Sequence, residues 1–282
     1  MPKVDVRGVD HYYEWVRRSE TADKPVMVFI HGWGGSARYW RSTAEAIADD
    51  FDCLLYDLRG FGRSSLSPNA PKIGYEMEDY AEDLALLLDA LNLQKIYLNA
   101  HSMGASLATF FLNRYSDRVH QAILTCNGIF EYNALAFAAF HKVGGYVVKL
   151  RYNWFLKFPF ADRMFMARFL HRPIPKSDRL EFLEDYLQAD GEAAAGTIYT
   201  SVSKSAVETM PREFANLTVP TLMVSGEKDI IIPAKMGRQA AALNDNIKYV
   251  ELPKTAHFPM LEDKTAYLRA IGEFLQVGRA VA

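Results

Sequence analysis

Cysteine is scarce in this chain: Cys53 and Cys126 are the only two among 282 residues. Neither has histidines at metal-ligand spacing, so the chain carries no zinc pattern. Each lies in an apolar, strand-like run, "FDCLLYD" and "AILTCNG", and is expected to be a buried free thiol rather than a disulfide partner or a nucleophile. Nor is there a run of about 18 apolar residues that could span a bilayer. The opening "MPKVDVRGVDHYYEW" lacks a signal-peptide core, so a cytoplasmic location is expected. A formal net charge of −2 supplies no basic field, and no nucleic-acid partner is expected. Internal repeats and low-complexity tracts are lacking too.

What is present is apolar and ordered. Half of the residues (50%) are hydrophobic, enough for a sizeable core. The N-terminal stretch alternates polar and apolar residues like an edge hairpin. "KPVMVFIHG" is then a near-continuous apolar run, the mark of a strand buried on both faces. Helix and strand signals alternate after it: a helix over "ARYWRSTAEAIADD", the strand "FDCLLYDLRG", and the amphipathic helix "YEMEDYAEDLALLLDALNL" with acids in its first turn. "KIYLNAH" is the next strand, followed by a helix from Ser102 and the strand "VHQAILTCNG". This order predicts an α/β fold with a mostly parallel, doubly wound sheet. From about Ile129 to Glu208 no strand signal appears. The pattern resumes with "VPTLMVSGEKD", a helix near 234–243, the strand "IKYVEL", the loop "PKTAHFP" and a closing helix over 262–276. A core of 1–128 plus 209–282 with a helical cap over 129–208 is the expected organisation.

In "LNAHSMGASLATFF", Ser102 sits between a strand and a helix, with small residues two positions either side. A serine hydroxyl is a poor nucleophile unless a base lies beside it, itself oriented by a third group. A strand–serine–helix turn would put that hydroxyl at the carboxyl edge of the sheet, where open α/β folds bind ligands. Of seven histidines only His257 follows the last strand. Asp229 ends the strand before it, and Glu227, nearer the strand end, is the second choice. Ser102, Asp229 and His257 thus fall at strand ends in the order Ser, Asp, His. The glycine-rich "HGWGG" after the first buried strand lets backbone approach a substrate. The backbone N–H groups of Trp33 and Met103 are the expected donors to a developing oxyanion.

The segments "HGWGGSARYW", "YDLRGFGRSS", "AHSMGAS", "SGEKDIIIP" and "AHFPMLED", in this order, resemble the signatures of the α/β-hydrolase fold superfamily. Ala100 stands where the common G-x-S-x-G has its first glycine. The resemblance implies a catalytic Ser102–His257–Asp229 set, and a structural loop formed by Asp57 and Arg59 to Ser64. It also implies that no cofactor or metal is needed. Members that resemble dehalogenases or epoxide hydrolases carry aspartate at the nucleophile position, so Ser102 argues against both. Hydrolysis of a carboxylic ester through an acyl-enzyme is the expectation. Thioesters, lactones, a carbon–carbon bond beside a ketone, and haloperoxidase-like or lyase chemistry use the same machinery. A non-catalytic receptor built on the same fold is the alternative of a different class. His31, Gly32, Gly34 and His101 around the turn, with Trp154 and Phe155 of the cap, are the expected substrate contacts.

The cap has a charge signature of its own. Between His141 and Lys176 stand eight basic residues, Lys142, Lys149, Arg151, Lys157, Arg163, Arg168, Arg172 and Lys176, against the single acid Asp162. That stretch carries +7 in a chain of −2, leaving −9 for the rest. Aromatics interleave with the cations. Either they pack the cap onto the core with the charges in solvent, or they face an anionic membrane surface or a bulky lipophilic ligand. Single-stranded nucleic acid uses the same ingredients and is a remote third beside the Ser, Asp, His set.

Overall fold

The computed structural model describes residues 2–19 and 24–276. The chain opens with the hairpin β1 (Lys3–Val6) and β2 (Val9–Val16). It continues through β3 (Val26–Ile30), a 3-10 turn at Ala37–Trp40, α1 (Arg41–Ile47), β4 (Asp52–Tyr56) and α2 (Met77–Ala90). Next come β5 (Ile96–His101), α3 (Met103–Arg114) and β6 (Val119–Thr125). Helices α4 (Ala134–Lys149), α5 (Ala161–Met166), α6 (Lys176–Gln188), α7 (Gly191–Ser201) and α8 (Lys204–Ala215) follow. Then come β7 (Thr221–Gly226), α9 (Ala234–Ala241), β8 (Ile247–Leu252), α10 (Pro259–Glu262) and α11 (Lys264–Leu275).

The eight strands form one sheet in the order β1-β2-β4-β3-β5-β6-β7-β8. The β1–β2 and β2–β4 pairs are antiparallel and every later pair is parallel. Inner strands such as β4 ("DCLLY") are buried at every residue because helices cover both faces. On one face Leu84 and Leu88 of α2, Leu107 and Phe111 of α3, and Phe214 of α8 pack together. On the other, Trp40 and Ile47 meet Tyr267, Ile271 and Phe274 of α11. Each such fully buried side chain contributes about 1.5–3 kcal/mol. Cys53 and Cys126 are buried free thiols. Among the described residues no helix is long and apolar enough to cross a membrane.

Three element boundaries differ from those read in the sequence. The first helix begins as a 3-10 turn, with Ser36 accepting from Arg38 N–H, and becomes α-helical only at Arg41. The closing helix is two: Asp263 breaks it and caps α11 by accepting from Ala266 N–H. A boundary at 208/209 falls inside α8, which is tied to the core when Asn113 Nδ2 donates to the Glu213 carbonyl and Asn244 Nδ2 to that of Phe214.

The loop after β4 is braced by ion pairs to buried carboxylates. Asp57 accepts from Ala37 N–H at 2.8 Å and from the Arg63 guanidinium at 2.7 and 2.9 Å. Arg59, 2% exposed, pairs with buried Asp83 at 2.7 Å and lies over the Tyr80 ring.

Candidate active site

Ser102 follows the last residue of β5 and precedes the first of α3. Its backbone adopts φ 55°, ψ −122°, a region costly to any residue with a side chain, by about 1–3 kcal/mol. The surroundings hold it there: Ser102 N–H donates to Thr125 O at 2.9 Å, and its own carbonyl accepts from Ala105 and Ser106. The sharp turn forces α3 against β3. A Cβ at Gly104 would lie 2.8 Å from Ile30 Cγ2 and inside contact distance of the His31 carbonyl, so only glycine fits. Ala100 lies within β5, paired to Ile30 and Leu124, where the sheet accommodates its methyl group.

Asp229 lies just beyond β7. One carboxylate oxygen accepts from Ile231 and Ile232 N–H at 2.8 and 3.0 Å. The other accepts from His257 Nδ1 at 2.7 Å. A carboxylate accepts only, so the imidazole proton sits on Nδ1 and Nε2 presents its lone pair to Ser102 Oγ, 3.0 Å away. Glu227 is elsewhere: it pairs with Lys228 and accepts from Lys254 N–H. The structure therefore brings Ser102, His257 and Asp229 into one hydrogen-bonded line and leaves Glu227 out of it. A hydroxyl bonded to an imidazole that a buried carboxylate orients is the arrangement that activates serine.

The loop carrying His257 is held by groups that local pattern reading does not single out. Glu262, 8% exposed, accepts from Ala256 N–H at 2.8 Å with one oxygen. Its other oxygen accepts from His171 and Arg172 N–H, both at 2.7 Å. His257 N–H donates to Phe169 O at 2.9 Å. Tyr39 is the second such residue. Its hydroxyl accepts from Gly32 N–H and donates to His101 Nδ1 at 2.9 Å, while His101 Nε2–H donates to the His257 carbonyl at 2.7 Å. Both residues lie inside the segments that carry the family resemblance, which was the available signal.

Trp33 and Met103 border the cavity beside Ser102. Met103 opens α3, so its N–H has no intrahelical acceptor. Trp33 is anchored from the other side by its indole, which donates to Ala194 O of α7 at 3.0 Å. The cavity, about 180 Å³, is walled by Phe140, Val143 and Val147 of α4, Ile198 of α7, and Phe165 and Phe169. Gly32 and His101 border it too. The remaining expected contacts do not. His31 is buried, its ring bonded to the Gly32 carbonyl and to Leu58 N–H, so it braces two loops. Gly34, with φ +71°, turns toward Tyr186. Trp154 faces solvent against Tyr152 and Phe158, and Phe155 packs within the cap beside Leu183 and Tyr186.

Burial, and next the neighbouring His257, holds the His101 pKa well below the ordinary imidazole value, so His101 stays neutral. Burial, with Asp229 close by, pushes the Cys126 thiol well up. His101, Cys126 and His257 form a compact cluster with ligand atoms within 4.8 Å of one another. All four imidazole nitrogens there are engaged by Tyr39, the His257 carbonyl, Asp229 and Ser102, so the cluster is a hydrogen-bonded layer.

Comparison with known proteins agrees with this architecture. The protein named "Putative carbamate hydrolase RutD" of Pseudomonas savastanoi pv. phaseolicola is 27% identical over 269 residues, 92% of this chain and 97% of that protein. Among solved structures, the enol-lactonase from Burkholderia xenovorans LB400 superposes with a TM-score of 0.79 at 20% identity, covering 98% of this chain and 100% of its own. A thermophilic esterase from Thermogutta terrifontis gives 0.76 at 23% identity, covering 98% of each chain. Likeness at that identity speaks for the fold alone. Residues 25–264 match the alpha/beta hydrolase fold family, and with the parallel sheet and the strand-to-helix turn at Ser102 the chain belongs to that family.

Proposed function

We propose that this chain is a serine hydrolase that cleaves the carboxylic ester of a hydrophobic compound through an acyl-enzyme. The observation that carries the reading is the continuous line from Ser102 Oγ through His257 to Asp229, opening on an apolar cavity. His257 Nε2 takes the hydroxyl proton as Ser102 attacks the carbonyl carbon. Asp229 holds the resulting imidazolium, and the N–H groups of Trp33 and Met103 face the oxyanion. The imidazolium then protonates the leaving alcohol. Water, deprotonated by the same nitrogen, attacks the acyl-enzyme and releases the acid. Every proton and electron pair in the cycle is handled by this chain's own groups and water.

A second reading comes from the carbamate hydrolase named above, since the same attack suits a carbamoyl carbon. The phenylalanine and aliphatic wall of the cavity favours a larger hydrophobic group over a small polar carbamate. Turnover of p-nitrophenyl esters of graded chain length, beside a p-nitrophenyl carbamate, separates the two. Ser102→Ala should lower kcat by about 10⁴-fold or more. Retained turnover in that variant, or failure of a fluorophosphonate to label Ser102, would overturn the assignment and favour a receptor built on the hydrolase fold.

A further inference from the structure

Among the described residues, twelve of the fifteen exposed large hydrophobic side chains lie between Tyr132 and Met164. Isolated exposed apolar residues are ordinary on a protein surface; a concentration of this kind marks an interaction site. Helix α4 turns Leu135, Ala138, Lys142, Tyr146 and Lys149 outward at helical spacing, so its solvent face is apolar with lysines set into it. Beyond it, Trp154, Phe158 and Phe160 stand more than half exposed. Phe160 does so from a left-handed backbone, φ 65°, that a bulky residue avoids unless its surroundings impose it.

Charge identifies the occupant. Among the described residues, Lys142, Lys149, Lys157 and Arg163 make no ion pair. The single acid of the stretch, Asp162, is buried and bound to Arg179 at 2.8 Å. Aromatic side chains among unpaired cations, with no exposed acid between Tyr132 and Met164, match an interfacial element on anionic lipid. A second copy of this chain, docked face to face about a two-fold axis, would set lysines against lysines. A further observation points the same way: Phe140 and Val143 are both exposed and part of the cavity wall, so the apolar surface runs without a break into the cavity beside Ser102.

We infer that the outer face of the cap, α4 and the 152–164 stretch, is a docking surface for an anionic lipid bilayer. The protein binds it peripherally: the aromatic side chains enter the headgroup boundary and the lysines meet lipid phosphates and carboxylates. This rests on the outer surface of the cap and stands whatever bond Ser102 attacks.

Flotation of the full chain with vesicles of phosphatidylcholine alone, and of phosphatidylcholine mixed with phosphatidylserine, tests it. Binding is expected only to the mixed vesicles, weakened by salt, with a blue shift of tryptophan emission as Trp154 leaves water. Lys142→Glu/Lys149→Glu/Lys157→Glu should weaken partitioning by more than about a hundredfold, and Trp154→Ser/Phe158→Ser should weaken it at unchanged charge. Circular dichroism of each variant reports folding, and the salt comparison needs no variant. Absence of binding to mixed vesicles, or equal salt-insensitive binding to both kinds, would overturn the inference. So would a dimer in sedimentation velocity that Trp154→Ser/Phe158→Ser dissociates, which would make the face a contact between copies.

Discussion

Replacing Tyr39 with phenylalanine removes one oxygen atom and leaves the ring where it packs, edge-on to His101 at 5.5 Å and to Phe258 at 5.4 Å. The lost hydroxyl serves two partners, accepting from Gly32 N–H and donating to His101 Nδ1. His101 cannot compensate by changing tautomer, because its Nε2 must keep donating to the His257 carbonyl. It cannot take up a proton either, since burial disfavours the charged ring. Two fully buried groups are then left without partners. At about 1–3 kcal/mol each, less the relief of no longer burying a hydroxyl, Tyr39→Phe should cost about 2–4 kcal/mol of stability. A chain of ordinary stability, about 5–15 kcal/mol, still folds. Urea unfolding followed by circular dichroism should show the midpoint falling at constant slope. The effect should reach the chemistry too, because Gly32 directly precedes the Trp33 N–H proposed to meet the oxyanion. Loosening that turn should lower kcat about 10- to 100-fold with a smaller change in KM. A stability loss below about 0.5 kcal/mol together with unchanged kcat would refute the reasoning.

Two other perturbations test the proposed site and its surroundings. Asp229→Asn keeps an oxygen for the Ile231 and Ile232 N–H groups but can turn an amide N–H toward His257, favouring the wrong tautomer; kcat should fall about 10³- to 10⁴-fold with the fold intact, and a loss under tenfold on p-nitrophenyl esters would count against the assigned role. Stability should fall on mild acidification, since burial lowers the pKa of His11, His31 and His101. Below about pH 6.5 the unfolded chain takes up these protons before the folded chain does, so each histidine contributes a loss of up to about 1.4 kcal/mol per pH unit. Asp185, pushed up to about 6 by burial, takes its proton first in the folded state and offsets one of the three below that pH. A net loss of up to about 3 kcal/mol per unit is expected, and urea midpoints flat between about pH 7 and about pH 5 would contradict it.

The strands were legible because each inner strand is a run of apolar residues with helices on both sides, a pattern that local sequence carries in full. Ser102, Asp229 and His257 were legible for a related reason: each ends a strand, and strand ends can be counted along the chain. Tyr39, Glu262 and the bracing role of His101 were not. Their partners lie 62, 91 and 156 positions away along the chain, and no local periodicity encodes such pairings. The cap defeated pattern reading differently. With an aromatic or aliphatic residue at six of the nine positions of 152–160, no period separates an inward side chain from an outward one. Trp154 and Phe155 were accordingly expected at the substrate, whereas the cavity wall is made by Phe140, Val143 and Val147 of α4 and by Phe165 and Phe169.

The cap is not a cover laid over a finished site. His257 N–H finds its acceptor in the Phe169 carbonyl, and Glu262 grips the His257 loop with one oxygen and residues 171 and 172 with the other. Trp33, at the proposed oxyanion turn, is tied through its indole to α7. Removing the inserted helices would therefore strand the His257 N–H, one Glu262 oxygen and the Trp33 indole, all engaged around the Ser102 cavity. The stretch that exposes Met164 also supplies Phe165 and Phe169 to the cavity and the carbonyl that accepts from His257 N–H. Whatever meets the outer face of the cap is thus one short helix away from the residues that wall the cavity beside Ser102, and the cavity wall and the placement of His257 share one piece of chain.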